Sequence, residues 1–180
     1  MGGLPHDRLL VLGVTGAGKS TFASRLAERL GLEMIELDAL HWEANWTPAE
    51  PTVLRSRVDA ATRRDRWVSA GNYHQVRDIL WPRAQAAVWL DYSFPVVFWQ
   101  LTRRTLHRIS TREVLWGKNT ERLWTHLKLW SDESLYHWLF QTYWRRKREY
   151  PQLLAQPEHA HLRLYRFQTR READVWLESL

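Results

Sequence analysis

The sequence predicts an α/β fold in which helices cover a parallel β-sheet. Residues 8–12 form a short apolar run typical of a buried strand. Phe22, Leu26 and Leu30 then recur at helical spacing until Gly31 ends the pattern. Strand-sized and helix-sized segments alternate along the rest of the 180-residue chain. This alternation favours a parallel sheet that binds ligands at the carboxyl ends of its strands.

A glycine-rich loop joins the first strand to the first helix. Residues 13–20 read GVTGAGKS, which is the G-x-x-x-x-G-K-[ST] pattern of the Walker A motif, or P-loop. Its glycines let backbone N–H groups face phosphate, while Lys19 would reach the β- and γ-phosphates and Ser20 would hold Mg²⁺. We therefore expect ATP and Mg²⁺ as cofactors, although the pattern leaves GTP open. The predicted nucleotide-binding residues here are Gly13, Thr15, Gly16, Ala17, Gly18, Lys19, Ser20 and Thr21.

The remaining elements follow from apolar periodicity, prolines and glycines. Further strands are predicted over residues 32–38, 66–70, 86–91 and 161–166. Helices are predicted over residues 51–66, 73–80, 93–110 and 171–180, the second of them closed by Trp81 and Pro82. A pattern break at residues 111–120 precedes an aromatic-rich helical region that extends to about Tyr150, and Pro151 and Pro157 bracket a loop or short helix.

The composition indicates one soluble domain. The absence of cysteine excludes disulfides and thiolate metal sites, and Asp91 interrupts the longest candidate for a membrane span. Residues 1–5 lack the features of a signal peptide, so we expect a cytoplasmic protein without membrane contact. Lys and Arg outnumber Asp and Glu by 26 to 20, and the whole excess lies beyond residue 100. That half would face either phosphates of a small ligand or a polyanion.

Several segments resemble the small P-loop kinases of the adenylate-kinase-like and shikimate-kinase-like group. Besides the P-loop, they are residues 37–42 (LDALHW), 71–73 (GNY), 89–91 (WLD), 117–121 (GKNTE), 163–164 (RL) and 176–177 (WL). More narrowly, the chain resembles P-loop proteins labelled topology-modulation (FlaR-like) or AAA-family ATPases. The resemblance implies a single domain over residues 1–180 with the three-layer αβα P-loop NTPase fold. It also implies a five-stranded parallel sheet in the order 2-3-1-4-5 and an arginine-bearing helical lid at about residues 104–122.

The end of the third predicted strand departs from that family. Its members usually carry the Walker B acid there, whereas this chain has Ala70. Glu36 and Asp38 resemble the acidic pair that shikimate-type kinases place beside the metal and the acceptor. We expect Asp38 to substitute as a metal ligand and to orient or deprotonate the acceptor.

Asp91 looks superficially like a Walker B acid. Strand four, however, should lie on the other side of strand one from strand three, so we expect Asp91 to form a turn or a helix cap.

Other candidate site residues come in two groups. The loops after strands two and three should form the acceptor pocket, with His41, Trp42, Asn72, Tyr73 and Arg77 as its substrate contacts. Arg104 and Arg108 are four residues apart, so they share one helix face, and with Arg112 they would bind transferring phosphates. A structural role is the alternative for each of these residues, because tryptophans mostly fill cores and arginines mostly face solvent.

These features favour a kinase that transfers the γ-phosphate of ATP to a small-molecule or nucleotide acceptor. The alternative is a P-loop ATPase or nucleotide-responsive protein that binds nucleic acid or protein through its basic, tryptophan-rich C-terminal half. The basic run at residues 145–148 is interpreted mainly as a solvated helix face. The helices that carry Trp124, Trp130, Trp138 and Trp144 could also form a homodimer surface.

Overall fold

A five-stranded parallel sheet forms the centre of the structure, a computed structural model that describes residues 6–111, 114–115, 119–120 and 135–180. Its strands are β1 (Arg8–Gly13), β2 (Glu33–Glu36), β3 (Trp67–Ala70), β4 (Ala86–Leu90) and β5 (Arg163–Phe167). The strands lie in the order β2-β3-β1-β4-β5, and every neighbouring pair is parallel. The predicted order 2-3-1-4-5 is confirmed.

Seven helices are described. They are α1 (Lys19–Leu30), α2 (Leu37–His41), α3 (Pro51–Ala61), α4 (Arg77–Arg83), α5 (Phe94–Thr111), α6 (Leu135–Leu154) and α7 (Arg170–Glu178). Short 3-10 turns occupy Ala44–Trp46, His74–Val76 and Pro157–His159. Beyond α5, Val114–Leu115 pairs antiparallel with Asn119–Thr120. Among the described residues, no helix has the length and apolarity that a membrane crossing requires.

Apolar cores cover both faces of the sheet, as the three-layer αβα prediction requires. Leu9 and Val11 of β1 face a core that contains residues of α1, α5, α6 and α7. Leu10 and Leu12 alternate with them and face a second core that contains residues of α3 and α4. All four leucine and valine side chains are at most 3% exposed. Burial on both faces explains why this strand is an uninterrupted apolar run.

The second strand ends earlier than predicted. It stops at Glu36, and α2 begins at Leu37, so Asp38 lies in the first helical turn and not at a strand end. Leu37 is 1% exposed and packs so closely on Gly71 that a Cβ there would lie 2.6 Å from the Leu37 Cβ. The packing of these two residues accounts for the turn that follows β2.

Three helix ends also differ from prediction. The third helix ends at Ala61 with Thr62 as its cap residue, and the polar residues beyond it are exposed. The helix predicted over residues 73–80 is instead a 3-10 turn followed by α4, which continues through Pro82 because Leu80 and Trp81 are buried. In α6 the helix continues through Pro151 to Leu154.

The predicted lid at residues 104–122 is described only in part, by the end of α5 and the two short antiparallel strands. The predicted phosphate ligand Arg112 and the predicted interface residues Trp124 and Trp130 lie outside the described residues.

Candidate functional site

The P-loop connects β1 to α1 and needs its glycines. Gly16 and Gly18 have φ angles of +83° and +84°, a left-handed conformation that favours glycine. A Cβ on Gly16 would lie 2.9 Å from both the Leu101 Cβ and the Val97 carbonyl oxygen of α5. The loop therefore packs tightly beneath α5, and it presents the N-terminus of α1 to the cleft above.

Most of the predicted nucleotide ligands line this cleft, whose volume is about 2120 Å³. Residues 15–21 all contribute to its wall. Gly13 is the exception, since it packs against Leu90 of β4 and its carbonyl accepts a hydrogen bond from the Asn72 amide. Gly13 therefore has a structural role at the base of the loop and does not line the cleft.

Lys19 is held within the loop among other charges. Its Nζ donates to the Val14 carbonyl oxygen at 3.0 Å. Burial lowers the pKa of Lys19 to about 8, the negative charge of Asp38 opposes that shift, and the positive charges of Arg146 and Arg104 add to it. A phosphate group would restore a negative partner to this ammonium.

The Ser20 hydroxyl donates to Glu36 Oε1 at 3.0 Å. Glu36 pairs in register with Ala70 on the neighbouring strand, so the two side chains point to the same face of the sheet. Glu36 therefore supplies a carboxylate one strand away from the position where the family carries its acid. Burial, with the negative charge of Asp38, raises the pKa of Glu36 to about 7.

A hydroxyl and a carboxylate are oxygen ligands of the kind that Mg²⁺ prefers. Ser20 and Glu36 fit such an ion, which would complete its shell with phosphate oxygens and water. Within the described ranges, no group of three or more histidine, aspartate and glutamate side chains could hold a metal by itself. Asp38 is the metal ligand that the sequence predicts, but the hydrogen bond to Ser20 belongs to Glu36. The register with Ala70 is the signal that could have identified it.

Asp38 is hydrogen-bonded to a tyrosine that lines the same cleft. The Tyr73 hydroxyl donates to Asp38 Oδ1 at 2.7 Å. Burial raises the pKa of Tyr73, and the charge of Asp38 and this hydrogen bond raise it further, so the phenol remains a donor. Within the described part of the chain, no donor hydrogen-bonds Asp38 Oδ2. One carboxylate oxygen is thus fixed by Tyr73, and the other is left for a ligand.

The five predicted acceptor residues all line the same cleft as the P-loop. Aromatic rings form one wall: His41 lies 4.5 Å from Tyr73 and 4.7 Å from Trp42, measured between ring centroids. Trp46 extends this wall, with its ring centroid 5.7 Å from that of Trp42. Burial lowers the pKa of His41, so its imidazole is neutral at pH 7.

Arginines also line the cleft. Arg104 and Arg108 of α5 both line the cleft, as their shared helix face predicts. Arg146 is a site residue that the sequence analysis missed, because the basic run on α6 was interpreted as a solvated face. Its guanidinium donates to the Tyr150 hydroxyl at 2.9 Å and to the Asn72 carbonyl at 3.3 Å. The buried Tyr150, one helical turn later, marks the inward face of α6 and could have indicated this.

Asp91 has a structural role, as expected, although it forms ion pairs instead of a cap. Its side chain is 1% exposed and lies 2.5 Å from Arg166 Nη2 and 3.3 Å from Lys147 Nζ. These contacts connect the end of β4 to β5 and α6. The strand order places β4 on the other side of β1 from β3, so Asp91 does not substitute for the acid missing at Ala70.

No protein-family model matches the chain, and no curated protein sequence matches it. Solved structures do. A shikimate kinase from Bacteroides thetaiotaomicron has a TM-score of 0.54 at 16% identity, covering 97% of this chain and 96% of its own. A sugar kinase from Janibacter sp. HTCC2649 has a TM-score of 0.51 at 18% identity, covering 97% and 92%. A shikimate kinase from Acinetobacter baumannii in complex with shikimate has a TM-score of 0.51 at 15% identity, covering 97% and 93%.

The similarity to these structures concerns the fold alone, since every sequence identity is below 20%. The narrower resemblance to FlaR-like or AAA-labelled proteins is not among them. The chain therefore has the three-layer αβα fold of the P-loop kinases.

Proposed function

We propose that this protein is an ATP-dependent phosphotransferase that moves the γ-phosphate to a small-molecule or nucleotide acceptor. One observation carries the proposal: the P-loop residues Lys19 and Ser20 open into the same cleft as the Asp38 carboxylate and its aromatic wall. A phosphate donor and an acceptor can therefore meet in one site.

Glu36 and Asp38 have different roles in this proposal. Ser20 and Glu36 would hold Mg²⁺, which supplies charge neutralisation at the β- and γ-phosphates, and Lys19 would bind the same oxygens. Asp38, held by Tyr73, orients the acceptor and takes the proton from its hydroxyl through Oδ2. Arg104 and Arg108 would stabilise charge on the phosphoryl group during transfer.

The charges around the acceptor half favour an anionic acceptor. Arg77 and Arg146 both line the cleft, and no described carboxylate lies within ion-pair distance of either. The Arg77 guanidinium stacks 5.3 Å from the Trp81 ring centroid, and Arg146 donates to the Tyr150 hydroxyl and the Asn72 carbonyl, which are neutral groups. Two half-buried guanidiniums with no acidic partner in the described part of the chain match a carboxylate or phosphate on the ligand. Shikimate, held by one of the similar structures, is itself a carboxylate.

The test is phosphoryl transfer from ATP and Mg²⁺ to pooled nucleosides, nucleotides, sugars and polar metabolites, followed by mass spectrometry. We expect one acceptor to gain a single phosphate, and Lys19→Ala to abolish the gain. Asp38→Asn should lower turnover far more than nucleotide affinity. Turnover unchanged in Lys19→Ala would refute the assignment of the P-loop.

A second candidate function has one observation in its favour. Trp99 on α5 and Trp144 on α6 are 67% and 58% exposed, and Arg145 and Arg148 of α6 are exposed as well. Such a surface suits stacking of single-stranded bases or contact with a second copy. Phosphate release to water alone, together with salt-dependent oligonucleotide binding, would favour a nucleotide-responsive binding protein. A concentration-dependent dimer in sedimentation would instead assign this surface to self-association.

A further inference from the structure

We propose that Asn119 is a positioning residue that holds the aromatic wall of the acceptor pocket in place; the inference rests on the proposed function. Asn119 belongs to the short strand beyond α5 and is 2% exposed. Its Oδ1 accepts the Trp46 backbone N–H at 2.9 Å, and its Nδ2 donates to the Glu43 carbonyl oxygen at 2.9 Å. One side-chain amide thus binds two backbone groups of a turn that lies more than 70 residues earlier.

The turn that Asn119 binds has an unfavourable backbone. Asn45 and Trp46 have φ angles of +59° and +57°, in the left-handed region that side chains other than glycine rarely adopt. The turn is closed by a hydrogen bond from the Glu43 N–H to the Thr47 carbonyl at 2.8 Å. Such conformations persist where surrounding contacts impose them, and the Asn119 amide is such a contact.

A chain of side-chain contacts connects this turn to Asp38, the carboxylate that is proposed to orient the acceptor. Trp46 packs edge-on against Trp42, Trp42 against His41, and His41 against Tyr73, with centroid separations of 5.7, 4.7 and 4.5 Å. Tyr73 then donates to Asp38. A change in the Trp46 turn therefore reaches the group that would orient the acceptor hydroxyl.

The amide is chemically suited to this role. It offers a donor and an acceptor side by side, which matches one carbonyl and one N–H of the turn. Aspartate keeps the acceptor oxygen for Trp46 but places a second oxygen against the Glu43 carbonyl. Alanine removes both bonds. These two substitutions therefore separate the two hydrogen bonds.

Amide hydrogen exchange measured by NMR on the full chain tests the contact without reference to catalysis. In Asn119→Ala, we expect the Trp46 amide to exchange about 5- to 10-fold faster, since it loses its acceptor, while amides of β1 stay protected. In Asn119→Asp, Trp46 protection should largely remain. Ser110→Ala is the matched control, because the Ser110 hydroxyl donates within its own helix, to the His107 carbonyl. Unchanged Trp46 exchange in Asn119→Ala would overturn the contact.

The positioning role is tested with the acceptor pool described above. In Asn119→Ala, the rate of phosphoryl transfer should be about 5- to 10-fold lower than in the wild-type protein at a low concentration of the acceptor pool. At a high concentration the two rates should be equal, and the nucleotide affinity should be unchanged. Equal loss at both concentrations, or weaker nucleotide binding, would overturn the role. If exchange in β1 also accelerates in Asn119→Ala, Asn119→Ser decides, because it places no charge at this buried position and should retain the fold while still losing transfer at low pool concentration. A wild-type protein that phosphorylates nothing would refute the proposed function and leave the Trp46 exchange result intact.

Discussion

The carboxylate beside Ser20 gives the sharpest prediction. Glu36→Gln keeps the size of the side chain and an oxygen that accepts the Ser20 hydroxyl, but it removes the charge. If Glu36 substitutes for the acid missing at Ala70, this change should weaken Mg²⁺-dependent nucleotide binding and leave metal-free binding unaltered. The same change should abolish a pH dependence that the wild-type protein owes to this residue.

The magnitude follows from the raised pKa. Burial and Asp38 move the pKa of Glu36 from 4.5 to about 7. Its ionised fraction then increases from about one tenth at pH 6 to about nine tenths at pH 8. Because Mg²⁺ binds the ionised carboxylate, the metal-dependent affinity of the wild-type protein should increase about tenfold over that interval, or about 1.4 kcal/mol.

Isothermal titration with a non-hydrolysable ATP analogue and Mg²⁺ at pH 6, 7 and 8 measures this affinity. The terminal phosphate of the nucleotide also titrates near this range, so the wild-type increase is compared with that of Glu36→Gln, in which the nucleotide contribution is the same. The reasoning is refuted if both proteins show the same increase with pH. In Asp38→Asn the increase should persist but move to lower pH, because the charge of Asp38 helps to raise the pKa of Glu36.

Three further predictions concern stability and transfer. Without ligands, the raised pKa of Glu36 contributes stability that is complete below pH 4.5 and is lost as pH increases through about 7, so thermal melts of Glu36→Gln should lack this decline. Asp91→Asn should lower the free energy of unfolding in urea by about 1–2 kcal/mol, because Arg166 and Lys147, both partly exposed, lose their shared buried carboxylate; a loss below about 0.3 kcal/mol would contradict this. Gly16→Ala should cost about 1–3 kcal/mol more than Gly18→Ala, since both have positive φ but only Gly16 lacks space; equal urea midpoints would contradict it.

The fold was largely predictable because its signals are local. The apolar run of β1, the glycines of the P-loop and the spacing of Phe22 and Leu26 each act over a few residues. The strand order followed from the resemblance that these segments carry. The end of β2 was not predictable, because the turn into α2 depends on Leu37 packing against Gly71, which is distant in sequence.

The candidate site was predictable where it lies on the P-loop and less so elsewhere. Asp38 was correctly placed in the cleft, but the partner of Ser20 is Glu36, which only the pairing of β2 with β3 reveals. Arg146 belongs to a basic run on α6 in which neighbouring residues point in different directions, so the sequence did not show which of them faces the cleft. Asn119 lies in the GKNTE segment that carries the resemblance, but its role was not predictable, because its two partners are backbone groups that no residue type reveals.

The placement of both acids on β2 has a mechanical consequence. The strand order puts β2 at the margin of the sheet, with a neighbour on one side only. Glu36 ends this four-residue strand, and Asp38 follows two residues later on the same stretch of backbone. A displacement of this edge strand therefore moves both carboxylates together relative to the P-loop, which follows β1 two strands further in. We expect heat inactivation to begin with local unfolding of β2, at temperatures where the central strands are still folded.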